Sequence, residues 1–470
     1  MNKILKIKPI LTVIFAALIL SSCVARQPYE RPENVISANL FRTDMIPQDS
    51  LNMANLSWKQ VFTDPLLQKH IQTALDNNLD VRIAGQNILI AEAYLKQSKA
   101  AYIPTFSVGA NHTFQTQSMN TQFGRIIGER RYINQFDLTG QVGWEIDIWG
   151  KLKAQEKAQL ASYLSTVAGH QTVKSDLVAS VANLYYQLLA LDEQKKVVTN
   201  TITVRQTNLE TTQALKDAGT LTEVAVQQSQ ALVYNAEAML IDMDTQIRLL
   251  ENAMSMLLAK PSQTIERTTL NQQNVPVDLD AGYPMTLLAN RPDVRAAEYD
   301  FMNAFELTQA AKANFYPTLR ITGSGGFQSI ELEDLFSVNA LFANVVSGLT
   351  QPILNRRQIR SEYEASLARK ESALLNFQKS VLNAGREVSD ALAVYQAQDS
   401  FVNKKQQELE AYQKSVDFAQ QLVNYGMANY LEVLNANVAQ LNAELNITNA
   451  KYNKLKAGVD LYQALGGGWR

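Results

Sequence analysis

The chain has 470 residues, 46% hydrophobic and 19% charged, with 43 basic against 45 acidic side chains, 1 cysteine and 3 histidines. Single hydrophobic cores stop growing near roughly 250 to 300 residues, so the length implies more than one. The counts exclude an internal disulfide scaffold and a Cys/His zinc module, and a net charge of -2 leaves no global basic field for nucleic acid. The longest apolar stretch, Ile10–Leu20, is far short of the roughly 20 residues of a membrane-spanning helix.

That stretch follows Lys3, Lys6 and Lys8 and ends in Leu20-Ser21-Ser22-Cys23. A basic n-region, a short apolar core and small residues are the parts of a secretory signal, so residues 1–22 are expected to be a signal peptide. The sole cysteine three residues after Leu20 has lipobox spacing, which predicts cleavage before Cys23 and acylation of its thiol. A plain signal with a chance cysteine is the alternative. Val24, not Asp, follows Cys23, which favours the outer membrane. Cleavage removes three lysines and takes the net charge from -2 to -5. Residues 23–57 then form a lipid-anchored N-terminal segment.

The remainder repeats. Asp80-Val81-Arg82, Ala84, Ala91, Lys99-Ala100 and Pro104-Thr105 recur 213 residues later as Asp293-Val294-Arg295, Ala297, Ala304, Lys312-Ala313 and Pro317-Thr318. Gly219, Val226 and Ala236-Glu237 recur 207 residues later as Gly426, Val433 and Ala443-Glu444. Two copies of one unit follow, over 58–259 and 293–465, joined by a Pro-containing linker over 260–292 and closed by a tail over 466–470.

Each copy switches period. Phe106, Val108, Ala110 and Phe114 alternate with polar residues, and so do Phe136, Leu138, Val142, Trp144, Ile146 and Ile148. Leu319, Ile321 and Phe327 repeat the pattern, and the partner strand near 341–353 alternates less clearly. These are strands with one apolar and one polar face. A soluble sandwich is one way to bury the apolar face, and lipid is the other. No proline occurs between Pro104 and Pro261 or after Pro352, so Gly150–Ala218 and Asn355–Tyr425 can each run as one helix. At 1.5 Å per residue each spans about 100 Å. Gly169 and Gly385 interrupt their middles, Gly219 and Gly426 suit the left-handed C′ position, and Thr220 with Glu223 and Asn429 with Glu432 supply N-cap signals. The two cap signals stand at non-equivalent repeat positions. The helices hold few charges and no sustained a/d seam, which favours a wall of side-by-side helices over a two-stranded coiled coil.

Four strands cannot close a barrel in lipid, because open edges leave backbone groups unsatisfied at several kcal/mol each. Membrane barrels start at about 8 strands, so several chains are needed: two would make the minimum and three would make 12. A lipid anchor, a shared barrel and long helices beyond it describe a conduit.

The residues resemble the TolC-type outer-membrane efflux proteins, within them the lipoprotein channels of resistance-nodulation-division multidrug pumps. The resemblance covers essentially the whole mature chain. It rests on Pro28-Tyr29-x-Arg31-Pro32, on Trp58 with Phe62-x-Asp64-Pro65-x-Leu67 and Asn78-x-Asp80, and on Asn290-Arg291-Pro292-Asp293-Val294 with Ala297-Glu298 and Phe315-Tyr316-Pro317. The ending Leu461-Tyr462-x-Ala464-Leu465-Gly466-Gly467-Gly468-Trp469 is similar to that of the lipoprotein branch. Arg356-Arg357 departs from the pattern, which often has glycine after the last strand. The resemblance implies a homotrimer, a mainly α protein with a 12-stranded outer-membrane barrel continuous with a 12-helix periplasmic α-helical barrel. An equatorial belt would come from the N-terminal segment, the 260–292 linker and the C-terminus. Implied partners are a periplasmic adaptor (membrane fusion) protein and an inner-membrane resistance-nodulation-division transporter, with outer-membrane lipid and no nucleic acid.

Within this frame Asp137, Glu145 and Asp147 are expected to face the lumen, and Met119–Gln135, with Arg125, Arg130 and Arg131, to form an extracellular connection. The turns at Gly219, Thr220, Gly426 and Asn429 mark the periplasmic tip, where an adaptor could grip. Asp417, nine residues before Gly426, is the gate candidate: three copies around an axis would attract cations to the entrance. A solvated helix face is the alternative. The leading reading is a passive exit duct of a tripartite efflux pump. Type I secretion, metal efflux and a non-conducting envelope tether remain open. No nucleophile elbow, glycine-rich phosphate loop or metal-ligand spacing occurs, so neither an enzyme nor a cofactor or metal site is expected.

Overall fold

The computed structural model describes residues 27–32, 40, 56–116, 118–273 and 290–470. The expected signal peptide and Cys23 lie outside the described residues, as does part of the linker. No helix among the described residues is long and apolar enough to cross a membrane. The chain divides into two compact units.

The first unit takes in residues up to Arg31, 89–165 and 298–376. It holds one antiparallel sheet of β1 (Thr105–Thr116), β2 (Tyr132–Ile146), β3 (Thr318–Ser329) and β4 (Leu341–Thr350), in the order β1-β2-β3-β4. Register carries the alternation across all four strands. Phe106 pairs with Val142, Val142 with Gly323 and Gly323 with Val345, while Ala110, Leu138, Phe327 and Leu341 form a second such row. These rows share one face, and Thr113, Gln135, Asp137, Gln141, Glu145, Arg320, Thr322, Ser324 and Gln328 share the other. Among the described residues most of the apolar face is uncovered, with Phe106 70% and Val345 76% exposed, while Phe336 packs edge-on against Phe327. A Cβ at Gly326 would overlap the carbonyl oxygen of Leu138, so glycine is required for this approach of β2 and β3.

The connection between β1 and β2 is shorter than expected. β2 begins at Tyr132, so 132–135 are strand, and the loop before them contains a short helix, α4 (Gln122–Ile127), capped by the Thr121 hydroxyl. In the same unit the ring of Tyr29 packs edge-on against Phe301 and Phe305. Arg31 forms a two-pronged ion pair with Glu298, at 2.7 and 2.6 Å. Arg31 lies eight positions after Cys23, so the acylation candidate is at most about 30 Å of extended chain from this clamp.

The second unit takes in 32–88, 166–297 and 377–470. The stretch from Trp58 to Ala100 holds three helices: α1 (Trp58–Val61), α2 (Pro65–Asn77) and α3 (Leu79–Ala100), the last shared between units. Asp64 breaks the first pair by capping α2 through the Leu66 amide at 2.8 Å, and Asn78 does the same for α3 through the Asp80 amide at 2.9 Å. The long helices are α5 (Lys151–Asp217) and α8 (Gln358–Asn424), each of 67 residues, followed by α6 (Glu223–Leu257) and α9 (Tyr430–Ala464), each of 35. α7 (Pro292–Ala313) matches α3 in length at 22 residues. Neither Gly169 nor Gly385 breaks its helix. Gly385 instead leaves room for the backbone at Leu40 to cross, because a Cβ there would collide with the Leu40 carbonyl. The core packs Leu67, Ile71, Tyr185, Leu188, Leu189, Met254, Leu258, Leu461 and Tyr462, all nearly or fully inaccessible.

The four long helices are placed with an offset of 207 (151 to 358, 223 to 430), so the repeat holds at the level of elements. Their interiors differ. Thr212 and Ser229 face each other at 3.3 Å between α5 and α6, where the second copy has Ala419 and Ala436 in an apolar cluster with Tyr430, Val433 and Leu434.

Candidate functional site

The sheet is amphipathic, and its two edge strands, β1 and β4, have no further strand partner among the described residues. Its polar face carries few charges: among the strand residues only Asp137, Glu145 and Arg320 are ionic. Glu145 is opposite Arg320 in register, at 3.5 Å, and accepts a 2.7 Å ion pair from Lys151 at the start of α5. Asp137 is opposite Gln328 and accepts from the amides of Gln328 at 2.8 Å and Gln135 at 3.1 Å. Asp147 lies past the strand end, which is Ile146. Its carboxylate takes the free amides of Leu152 at 3.1 Å and Lys153 at 2.9 Å, so it caps α5. Glu145 and Asp147 are thereby brought to one end of the sheet, and Asp137 is not.

At the tips both long helices end in the same motif. Gly219 and Gly426 have φ of 77 and 69°, and the amides of Gly219 and Thr220 return to the carbonyls of Lys216 and Leu215. Those of Gly426 and Met427 return to Val423 and Leu422. Thr220 does not cap α6. Its amide and hydroxyl both bind the Leu215 carbonyl, and the N-cap is Thr222. Asn429 caps α9 as expected, accepting from the Leu431 amide at 3.2 Å. Thr222 and Asn429 are 207 apart, so the N-cap positions are equivalent, but the Thr222 side chain makes no capping hydrogen bond.

Glu223 has a different task. The amide of Gln227 and then the ammonium of Lys216, 3.0 Å away across the turn, hold its carboxyl below the usual range. The second tip is apolar, with Tyr425 79% and Met427 76% exposed. Asp417 is exposed on α8 beside Phe418, which is itself exposed. Sequence reading missed these apolar tip residues, although each flanks a turn that it located.

The motifs quoted above converge on two clasps. Arg291 is buried and ion-pairs with Asp293 at 2.6 Å and Glu387 at 2.7 Å, while it donates to the Ala464 carbonyl at 2.9 Å. Trp469 donates to the Asn290 and Gly466 carbonyls, and Ser175 to the Gly467 carbonyl at 2.5 Å. The Asn-Arg-Pro-Asp and Gly-Gly-Gly-Trp stretches are therefore two halves of one contact. A cavity of about 550 Å³ opens beside it. Burial pushes the Asp176 carboxyl in its wall upward against the opposing hydrogen bond from Gln463, and Asp293 adds to the rise. The second clasp centres on Asp64. Its Oδ2 accepts from Tyr185 at 2.8 Å, Thr268 at 2.5 Å and Gln273 at 2.7 Å.

A family model described as outer membrane efflux protein matches residues 70–260 and 284–467. The chain belongs to the outer membrane efflux protein family. This efflux protein is 27% identical over 463 residues, covering 97% of each chain, to the solvent efflux pump outer membrane protein SrpC of Pseudomonas putida. It is 25% identical over 456 residues, again 97% of each, to the cation efflux system protein CusC of Escherichia coli. It superposes with a TM-score of 0.83 on the open state of the Neisseria gonorrhoeae MtrE outer membrane channel, at 24% identity, covering 95% of this chain and 99% of that one. The efflux protein thus has the fold of this outer membrane channel, mainly helical with a four-stranded antiparallel sheet. It is an outer-membrane efflux component.

Proposed function

We propose that three copies of this chain close a 12-stranded barrel through their β1 and β4 edges and conduct small molecules passively from the periplasm to the outside. The observation that carries this is the sheet itself: one mainly apolar face, one polar face and two edges unpaired among the described residues. Lipid covers the first, water fills the space beside the second, and neighbouring copies satisfy the third. Asp137 and Glu145 then face the lumen. Cys23 carries the lipid, and the tip turns at Gly219, Thr220, Gly426 and Asn429 meet a periplasmic adaptor, with Tyr425 and Met427 as the apolar surface offered. Asp417 narrows the tip electrostatically in three copies. An inner-membrane proton-driven transporter completes the pump.

Relatives at 27% and 25% identity are a solvent and a cation efflux protein. Such divergence at similar distance supports a duct whose cargo is chosen by its partners. The experiment is single-channel recording of the purified full-length protein in planar bilayers. Stepwise conductance is expected, and its absence at high protein load would leave the tether reading in its place.

A further inference from the structure

Resting on the lumen reading above, we infer that Asp137 is the residue that sets the preference for cations within the barrel. The strands have three ionic side chains, and two of them neutralise each other: Glu145 faces Arg320 in register. Around that pair the inner end of the sheet is balanced, Glu145 and Asp147 against Lys151 and Arg320, with Lys151 bound to Glu145 at 2.7 Å and Asp147 held by the amides of Leu152 and Lys153.

Asp137 stands apart from this group. It lies eight residues from Glu145 along β2, about 26 Å at 3.3 Å per residue. That is more than twice the screening length of about 10 Å in 0.1 M salt, so Lys151 and Arg320 do not offset it. Its own neighbours are the amides of Gln135 and Gln328, which orient the carboxylate and leave its charge intact. The hairpin loops beyond it carry both signs, Arg125, Arg130 and Arg131 with Glu129 on one and Glu331, Glu333 and Asp334 on the other. Three copies place a ring of three uncompensated carboxylates at one level of the pore, and a ring of one sign concentrates counter-ions there.

The test is the reversal potential of the full-length protein in planar bilayers under a potassium chloride gradient. The native channel is expected to prefer potassium, with the preference weakening from 0.1 to 1 M salt as screening shortens. Asp137→Asn keeps the hydrogen-bonding shape and should lower the potassium-to-chloride permeability ratio about twofold at 0.1 M, with conductance retained. Gln328→Glu adds a carboxylate opposite Asp137 and should raise the ratio. Opposite shifts from two neighbouring substitutions are not produced by loosened packing. Unchanged ratios in both variants of a conducting channel would overturn the assignment of Asp137 alone. A native protein that never conducts would overturn the lumen reading and this inference with it.

Discussion

Asp64→Ala should loosen the end of the second unit where α2 meets α5 and the residues after α6. Asp64 caps α2, and losing such a cap costs about 1 kcal/mol. Its Oδ2 is also the acceptor for Tyr185, Thr268 and Gln273. Tyr185 is fully buried, and without Asp64 its hydroxyl keeps the longer contacts with the Thr268 amide at 3.1 Å and hydroxyl at 3.2 Å, so losing its shortest partner adds about 1 kcal/mol. Thr268 and Gln273 recover part of their bonding from each other at 2.7 Å, so they add little. The total is about 2 kcal/mol, which for local opening is a roughly 30-fold fall in amide protection. Hydrogen exchange with mass spectrometry on the full-length protein reads it in peptides covering 65–77 and 178–190. Protection unchanged there, or lost evenly through β1–β4, would refute the reasoning.

The pH dependence has a definite sign. Burial alone would raise the Asp64 carboxyl, but the hydroxyls of Thr268 and Tyr185 and the amide of Gln273 outweigh it and hold it below the ordinary value. A depressed native value contributes stability above the unfolded pKa of about 3.9 and loses it as pH falls through the lower folded value. The thermal-melt difference between native protein and Asp64→Asn should therefore shrink below about pH 4.

Arg291→Ala removes the buried partner of Asp293 and Glu387, carboxylates that solvent reaches, and leaves the Ala464 carbonyl without its donor; it should cost about 1–2 kcal/mol, seen as a lower melting temperature in detergent, and an unchanged melting temperature would contradict the clasp. Arg357 has φ 66° at the position equivalent to Gly150, φ 73°. Arg357→Gly should accordingly stabilise by about 0.5–1 kcal/mol in thermal melts, since the left-handed penalty exceeds the added chain entropy and the Glu364 pair is exposed. Gly150→Ala, whose Cβ meets open space, should cost about 1 kcal/mol in the same assay. Cys23→Ser should abolish palmitate incorporation, and persistent labelling would move the acylation site elsewhere. Asp417→Ala should raise single-channel conductance or antibiotic leakage; no change in either would remove Asp417 from the gate.

Much of the fold was legible because it rests on local rules. Proline-free runs ending in Gly219 and Gly426 gave the long helices to within a few residues, and alternation from Phe106 and Phe136 gave the strands. What failed depended on a competing use of the same residue. Thr220 has the side chain of a cap, but its amide is committed to ending α5, so the cap moves to Thr222. Tyr132 to Gln135 read as loop because their polar residues hide the period, which pairing with Thr113 to Thr116 reveals. At the site, Asp137 and Glu145 were visible as acids on a polar face. Which of them is neutralised was not, because Arg320 lies 175 positions from Glu145 and only register brings them together. Asn290-Arg291-Pro292-Asp293 and Gly466-Gly467-Gly468-Trp469 were visible as separate motifs, and their mutual contact is purely tertiary.

If one chain holds a third of a closed barrel, the folded protein is a trimer. Native mass spectrometry of the full-length protein released from detergent tests it most directly. A single assembly of three chains is expected, persisting until the detergent shell is stripped. A stable, folded single chain, or a closed assembly of two, would contradict it.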